Sequence, residues 1–260
     1  MNLSINHYWR ICAAGISYTL FAVGVFFPVI YMLCLSLLPI NKQTKQLKLR
    51  GSIQALCRFY VDFMKFVGLM DYQCNYQQQV LKDTVSVKGH LVISNHSMLI
   101  DALFLLGYVD NLCCVVKHQL TINPFTRLVV SLAGYISNSS EDFIEQATAK
   151  LAAGENVLIF PEGTRNTYDT QLEFKRGAAN IAVISQCPIL PALILPKPRA
   201  LQRGEKWYQL PTEKSTIHFH INPSLKLNDC IDVSKPRTLQ YRQLTEFWRN
   251  YYLSEIDSID

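Results

Sequence analysis

From Ile11 to Asn41 the chain carries no Asp, Glu, Lys, Arg or His, a run of 31 residues. A helix from Cys12 to Leu38 would be about 40 Å long, against the roughly 30 Å hydrocarbon core of a bilayer. Either such a helix tilts, or it breaks at Pro28, where proline removes an intrahelical hydrogen bond, and folds into a hairpin dipping into one leaflet. A cleaved signal sequence fits less well, because the run is too long for an h-region and no A-x-A site follows. Next, Ile53, Leu56, Phe59, Tyr60, Phe63, Phe66, Val67 and Met70 recur at helical spacing, with Arg58, Asp62 and Lys65 between them. This predicts an amphipathic helix over Gly51–Met70, lying at a membrane interface or packed on the protein's own core.

The remaining pattern alternates between the two periods. Strands are predicted at Val85–Ser94, Leu112–Val116, Asn156–Phe160, Ile189–Leu195 and Thr216–Ile221. Helices are predicted at Leu99–Tyr108, Pro124–Leu132, Glu141–Ala153, Gly177–Ser185 and Thr238–Leu253. Alternation of this kind specifies an α/β domain with a largely parallel sheet flanked by helices. The division is 1–72 for a membrane anchor with an interfacial helix, and 73–260 for the α/β domain. Pro196–Gly204 is a basic, irregular loop and not a linker.

Composition sharpens the membrane reading. Hydrophobic residues make up 49% and charged residues 17% of the chain, below the roughly 25% charged of a soluble domain. The net charge of +5 suits an anionic surface or substrate. No Lys/Arg stripe with interleaved aromatics argues for nucleic acid. Lys42, Lys45, Lys48 and Arg50 follow the apolar run, which puts that side, and the rest of the chain, on the cytoplasmic face. The eight cysteines contain no CxxC pair and read as reduced thiols. His218 and His220 share a strand face, but two ligands without a third make no metal site.

Two segments carry chemistry. The first, Asn95-His96-Ser97-Met98-Leu99-Ile100-Asp101, follows a strand and opens a helix, where ligands collect in open α/β sheets. A neutral imidazole can take the proton of an attacking hydroxyl, and a carboxylate on its other nitrogen fixes the tautomer. Positions i and i+5 are about 140° apart on a helix, so His96 and Asp101 meet only if His96 lies in the turn, Ser97 caps the helix and Asp101 is in its first turn. The plainer alternative is a packed histidine and a helix-start Asp. The second segment, Phe160-Pro161-Glu162-Gly163-Thr164-Arg165, also follows an apolar strand. Gly163 lets backbone N–H groups turn toward a ligand, and Arg165 offers a donor fork suited to phosphate. Glu162 orients either that arginine or an acceptor hydroxyl. A strand-ending turn with a surface Arg–Glu pair is the plainer alternative. Lys175-Arg176-Gly177 adds positive potential or forms a solvated pair.

Together, in this order, the segments resemble the NHxxxxD and FPEGTR motifs of the lysophosphatidic acid (1-acylglycerol-3-phosphate) acyltransferase family. Lys117 through Asn123-Pro124-Phe125 is similar to the family's second block, and Cys187-Pro188-Ile189-Leu190-Pro191 to its fourth. The resemblance covers about Val85 to Leu195. It implies a glycerolipid-acyltransferase domain held to one leaflet by N-terminal helices. It implies His96 as general base with Asp101 as partner, and Asn95, Lys117, Glu162, Gly163, Thr164 and Arg165 at the substrates. It also implies a lysophospholipid acceptor, acyl-CoA or acyl-carrier protein as donor, and no other cofactor. One position departs: where many members carry an arginine at the end of the second block, this chain has Ser140, with Arg127 or Arg176 available to compensate. Another lysolipid or a glycolipid is therefore the alternative acceptor. A non-catalytic lysolipid binder has no use for the His96–Asp101 pair, and no GxSxG elbow supports a hydrolase.

Overall fold

The computed structural model describes residues 5–74, 89–165 and 172–259. The charge-free run lies in two helical segments, α1 (Ile5–Gly24) and α2 (Phe26–Ser36). Between them Val25 keeps right-handed helical angles, and its N–H still bonds to Phe21 O. The helix therefore bends and does not stop. Pro28 falls in the first turn of α2, where a missing N–H costs least. The hairpin expected at Pro28 forms later, after Leu37, and Asn41 caps α3 (Lys42–Phe66) by accepting the N–H of Thr44. Helix α3 runs back along both segments. Trp9 Nε1 donates to Val67 O, the Phe21 ring meets Tyr60 at a tilt, Gly24 lies against Leu56, and Met32 and Leu35 pack with Leu49, Ile53 and Cys57. Ile5–Leu35 is the one helical stretch among the described residues long and apolar enough to cross a membrane.

Seven strands form one sheet: β1 (Asp71–Cys74), β2 (Leu91–Ser94), β3 (Leu112–Val116), β4 (Ile136–Ser137), β5 (Asn156–Ile159), β6 (Ile189–Lys197) and β7 (Thr216–Ile221), in the order β1-β7-β6-β2-β5-β3-β4. From β6 to β4 the neighbours are parallel. Strand β7 is antiparallel to β6, and β1 is parallel to β7. Side chains alternate between two buried faces, as a sheet covered on both sides requires. Leu91 and Ile93 pack with α7 (Phe143–Ala152), α8 (Gly177–Ser185) and α10 (Arg237–Ile259). Val92 packs with α3 and α4 (Asp101–Tyr108) on the other side. Gly107 lets α4 close on α3, because a Cβ there would stand 3.1 Å from Arg58 N. So α3 packs on the core through Tyr60, Val61 and Met64 while leaving Phe59 and Phe66 exposed.

Among the described residues there are also three short helices: α5 (His118–Ile122), α6 (Arg127–Leu132) and α9 (Leu227–Cys230). The sequence pattern missed α5, α9, β1 and β4, which are too short to show a period. Residues 85–88 of the expected strand Val85–Ser94 lie outside the described residues. The division expected after residue 72 runs through β1.

Two buried arginines join the N-terminal helices to the sheet. Arg50, counted with Lys42, Lys45 and Lys48 among the basic residues after the apolar run, is only 4% exposed. It donates to Ala133 O at 2.9 Å, Asn111 Oδ1 at 2.9 Å and Glu155 Oε2 at 2.6 Å, and Lys150 holds the other oxygen of Glu155. Arg10, 2% exposed, has backbone carbonyls instead: Pro211 at 2.9 Å, Glu213 at 2.7 Å, and Thr212. The loop between β6 and β7 is thereby fastened to α1.

Candidate active site

Strands β2, β5 and β3 are neighbours and parallel, so the turns that follow them leave the same edge of the sheet. They deliver His96, the segment Phe160–Arg165 and Lys117 to one place, as the switch-edge rule for α/β sheets anticipates. Tyr252 braces this edge from α10: its hydroxyl donates to Ile93 O at 2.7 Å and Ala192 O at 3.1 Å.

His96 Nδ1 lies 2.9 Å from Asp101 Oδ2. The approach is achieved differently from the expected cap. Helix α4 begins at Asp101 itself, and Ser97 does not cap it. The carboxylate instead reaches back: Oδ2 also accepts the N–H groups of Ser97 and Met98, each at 2.7 Å. Ser97 Oγ donates to Ile194 O. Asp101 is completely buried; burial pushes its carboxyl up, while His96 and the two N–H donors pull it down. The face of the imidazole is set by Phe160, whose ring stacks on it at 4.4 Å between centroids. Phe160 was not among the expected site residues; it stands in the second motif, and only the pairing of β2 with β5 brings it to His96.

Glu162 turns toward His96, and no hydrogen bond joins it to Arg165 among the described residues. Its Oε1 accepts the backbone N–H of His96 at 2.8 Å, tying the two motifs together. Its Oε2 is buried without a partner among the described residues. Burial, with the charge of Asp101 adding to it, pushes the Glu162 carboxyl up to about 8, against the pull of the His96 N–H. It is therefore a neutral acid at pH 7. Asn95, expected at the substrate, is fully buried, and its amide bonds both the N–H and the carbonyl of Ile194 at 2.8 Å. It joins β2 to β6.

The cations gather on the β5 side. Lys117 Nζ donates to Thr164 Oγ1 at 3.3 Å. Its ammonium is pushed down by partial burial, then by Arg165, Arg203 and Lys175, whose fields all reach it. Arg165 donates through Nη1 to Leu201 O and Gln202 O, fixing the loop that carries Arg203. Gly163 has φ +69°, and a Cβ there would stand 3.1 Å from Lys175 Nζ, so glycine admits both the turn and the lysine. Arg176 lines a different cleft, with Arg242 and Arg249. Ser140 bonds to Asp142. Thus Lys175 and Arg203 accompany Arg165 and Lys117. The basic character of the Pro196–Gly204 loop was the only sequence signal for Arg203. Among the described residues no carboxylate pairs with any of these four cations.

An apolar cleft begins beside the His96 turn. Met98 and Ile100 line it together with Ala14 of α1, Met64 of α3, and Leu201 and Trp207 of the β6–β7 loop.

The sequence profile of the Acyltransferase family matches residues 76–195. A 1-acyl-sn-glycerol-3-phosphate acyltransferase of Pseudomonas aeruginosa is 26% identical over 220 residues, covering 81% of this chain and 79% of that protein. The alpha form of Homo sapiens is 30% identical over 151 residues, 52% of this chain and 52% of its own length. In fold, the chain is similar to the 1-acyl-sn-glycerophosphate (LPA) acyltransferase PlsC from Thermotoga maritima, with a TM-score of 0.69 at 18% identity, covering 93% of this chain and 95% of that one. The sheet is thus that of a solved acyltransferase, and the Acyltransferase profile spans β2 to β6 as far as Leu195. In sequence and in fold the chain is similar to 1-acyl-sn-glycerol-3-phosphate acyltransferases.

Proposed function

We propose that this protein transfers a fatty-acyl group from acyl-CoA or acyl-carrier protein to the free hydroxyl of 1-acylglycerol-3-phosphate, giving phosphatidate at the cytoplasmic face of a membrane. The observation that carries the reading is the His96–Asp101 pair at 2.9 Å on the same sheet edge as four cations that no carboxylate pairs among the described residues. With Nδ1 turned to Asp101, the opposite ring nitrogen of His96 takes the proton of the acceptor hydroxyl as that oxygen attacks the thioester carbonyl. The C–O bond forms, the tetrahedral intermediate collapses, the C–S bond breaks, and the imidazolium returns its proton to the leaving thiolate. Asp101 stabilises the imidazolium between these steps. Lys117, Thr164 and Arg165, joined by Lys175 and Arg203, hold the phosphate. The apolar cleft at Met98 and Ile100 suits an acyl chain, and its α1 and α3 walls belong to the helices assigned to the membrane.

The cytoplasmic orientation is supported by Lys42, Lys45 and Lys48, which follow α2. A second acceptor, a lysolipid or glycolipid without a phosphomonoester, is favoured by one observation: Ser140 stands where many relatives carry arginine and is engaged by Asp142.

The test uses detergent-purified full chain with a long-chain acyl thioester and lysophosphatidate, beside its His96→Ala variant, with product lipids followed by mass. Phosphatidate from the wild type alone is expected. Equal turnover by the variant would remove His96 as the base, and no product from either would redirect the search to the second acceptor class.

A further inference from the structure

Helices α5 and α6 form a short hairpin that begins one residue after Lys117. Its large apolar side chains point outward: Leu120 is 40% exposed, Ile122 60%, Phe125 72% and Leu128 43%. Four such residues in a nine-residue segment are more than scattered surface apolarity.

The backbone N–H groups and threonine hydroxyls of the hairpin tip are bonded within it. The N–H of Asn123 bonds to Gln119 O, those of Thr126 and Arg127 to Asn123 O, and that of Phe125 to the Asn123 side chain. Residue 124 is proline and has no N–H. The hydroxyls of Thr121 and Thr126 donate to His118 O and Leu120 O. These donors need no water, which lowers the cost of moving the tip out of water. The inner side of α6 packs, through Val129 and Leu132, into the cluster that holds Met32 and Leu35 of α2. Alongside, α2 exposes Phe27, Ile30 and Leu33, so apolar surface continues from one element to the other. No Asp or Glu occurs between Asp110 and Glu141, whereas Lys117 and Arg127 flank the hairpin. An anionic lipid surface complements that charge.

We propose that the α5–α6 hairpin is a second bilayer contact, a wedge inserted into the leaflet beside α2 that sets Lys117, and the phosphate site it shares with Thr164, at the depth of the lipid head groups. The inference rests on the membrane assignment of α1–α2 made above. It gives the acceptor a lateral route: a lysolipid reaches the cations while its chain remains in the leaflet.

The test places Phe125→Trp in the full chain and mixes it with vesicles of phosphatidylcholine and phosphatidylglycerol bearing dibrominated acyl chains. Emission of the wild type, with Trp9, Trp207 and Trp248, is subtracted. Blue-shifted emission from the introduced indole, quenched by the bromines, is expected. A wild type that sediments with the vesicles while the introduced indole stays unquenched overturns the wedge and leaves the anchor standing. A wild type that does not sediment overturns both. In a second arm, an Ile122→Asp/Phe125→Asp variant should lose about tenfold in turnover of lysolipid presented in vesicles and less than about twofold in detergent micelles, because only the first requires insertion. Equal loss in both media, or loss in neither, overturns the proposal.

Discussion

The turns that follow β2 and β5 leave neighbouring parallel strands at the same edge, yet one closes on itself and the other stays open. After β2 the backbone N–H groups of His96, Ser97 and Met98 are all taken by carboxylates, one by Glu162 and two by Asp101. The side chains of Asn95 and Ser97 are fastened to Ile194. After β5, Arg165 and the cations whose fields meet at Lys117 have no carboxylate partner among the described residues. The difference matches the work proposed for each. A base must be held in one tautomer and one orientation, which takes saturated hydrogen bonding. A site for an anion must keep its positive charge uncompensated until the ligand arrives.

The strongest way to break this comparison is Asp101→Asn. The closed turn should keep most of its shape while losing the tautomer control, so kcat should fall about 10³–10⁴-fold with acceptor KM nearly unchanged. A large rise in KM instead would mean that the two turns are not divided as described. On the open side, Arg165→Ala should raise the acceptor KM about 10–100-fold by removing charge-assisted hydrogen bonds. That penalty should shrink for an acceptor without a phosphomonoester, which a merely structural arginine would not show. Arg203→Ala should cost less, roughly 3–10-fold in KM, since the residue is exposed, and added salt should erode the difference.

The smallest effect near neutrality, and the sharpest in form, belongs to Glu162→Gln. The Glu162 carboxyl is raised from 4.5 to about 8, so folding takes up a proton between those values. The stabilisation of the neutral form is full below 4.5 and is lost as pH rises through about 8. Ionisation adds a second negative charge beside Asp101. The same side faces Tyr252 of α10, whose hydroxyl feels that charge, while Lys175 lies over the adjoining Gly163. Wild-type kcat should therefore decline on the alkaline side near pH 8. The glutamine variant copies the neutral acid, so at pH 7 it should stay within about twofold and lose that decline. A variant inactive at pH 7 would show that the ionised form is the one required.

Much of the architecture was legible along the chain because it depends on repeated local patterns. The charge-free run, the buried strand Asn156–Ile159, and α8 and β7 at their observed bounds all follow from a 3.6- or 2-residue period sustained over enough positions. The two motif segments were legible too, since each sits in a few consecutive residues. What stayed hidden was short or depended on distant partners. Strand β1 makes sense only beside β7, and Arg50, one of the basic residues after the apolar run, is buried because Glu155 and Asn111 come from elsewhere in the chain.

The sequence by itself therefore determined an apolar N-terminal segment, an α/β alternation, and the residue types His96, Asp101 and Arg165 at strand ends. Tertiary structure decided how they are used. Strand pairing turned Glu162 from a presumed substrate ligand into the acceptor of the His96 N–H, gave Asn95 to Ile194, stacked Phe160 on the imidazole, and drew Arg203 and Lys175 into the cation cluster. The physical reason is that periodicity reports which face of an element is buried. Hydrogen-bond partners and local fields depend on which elements are adjacent, and that adjacency is set by the strand order of the sheet.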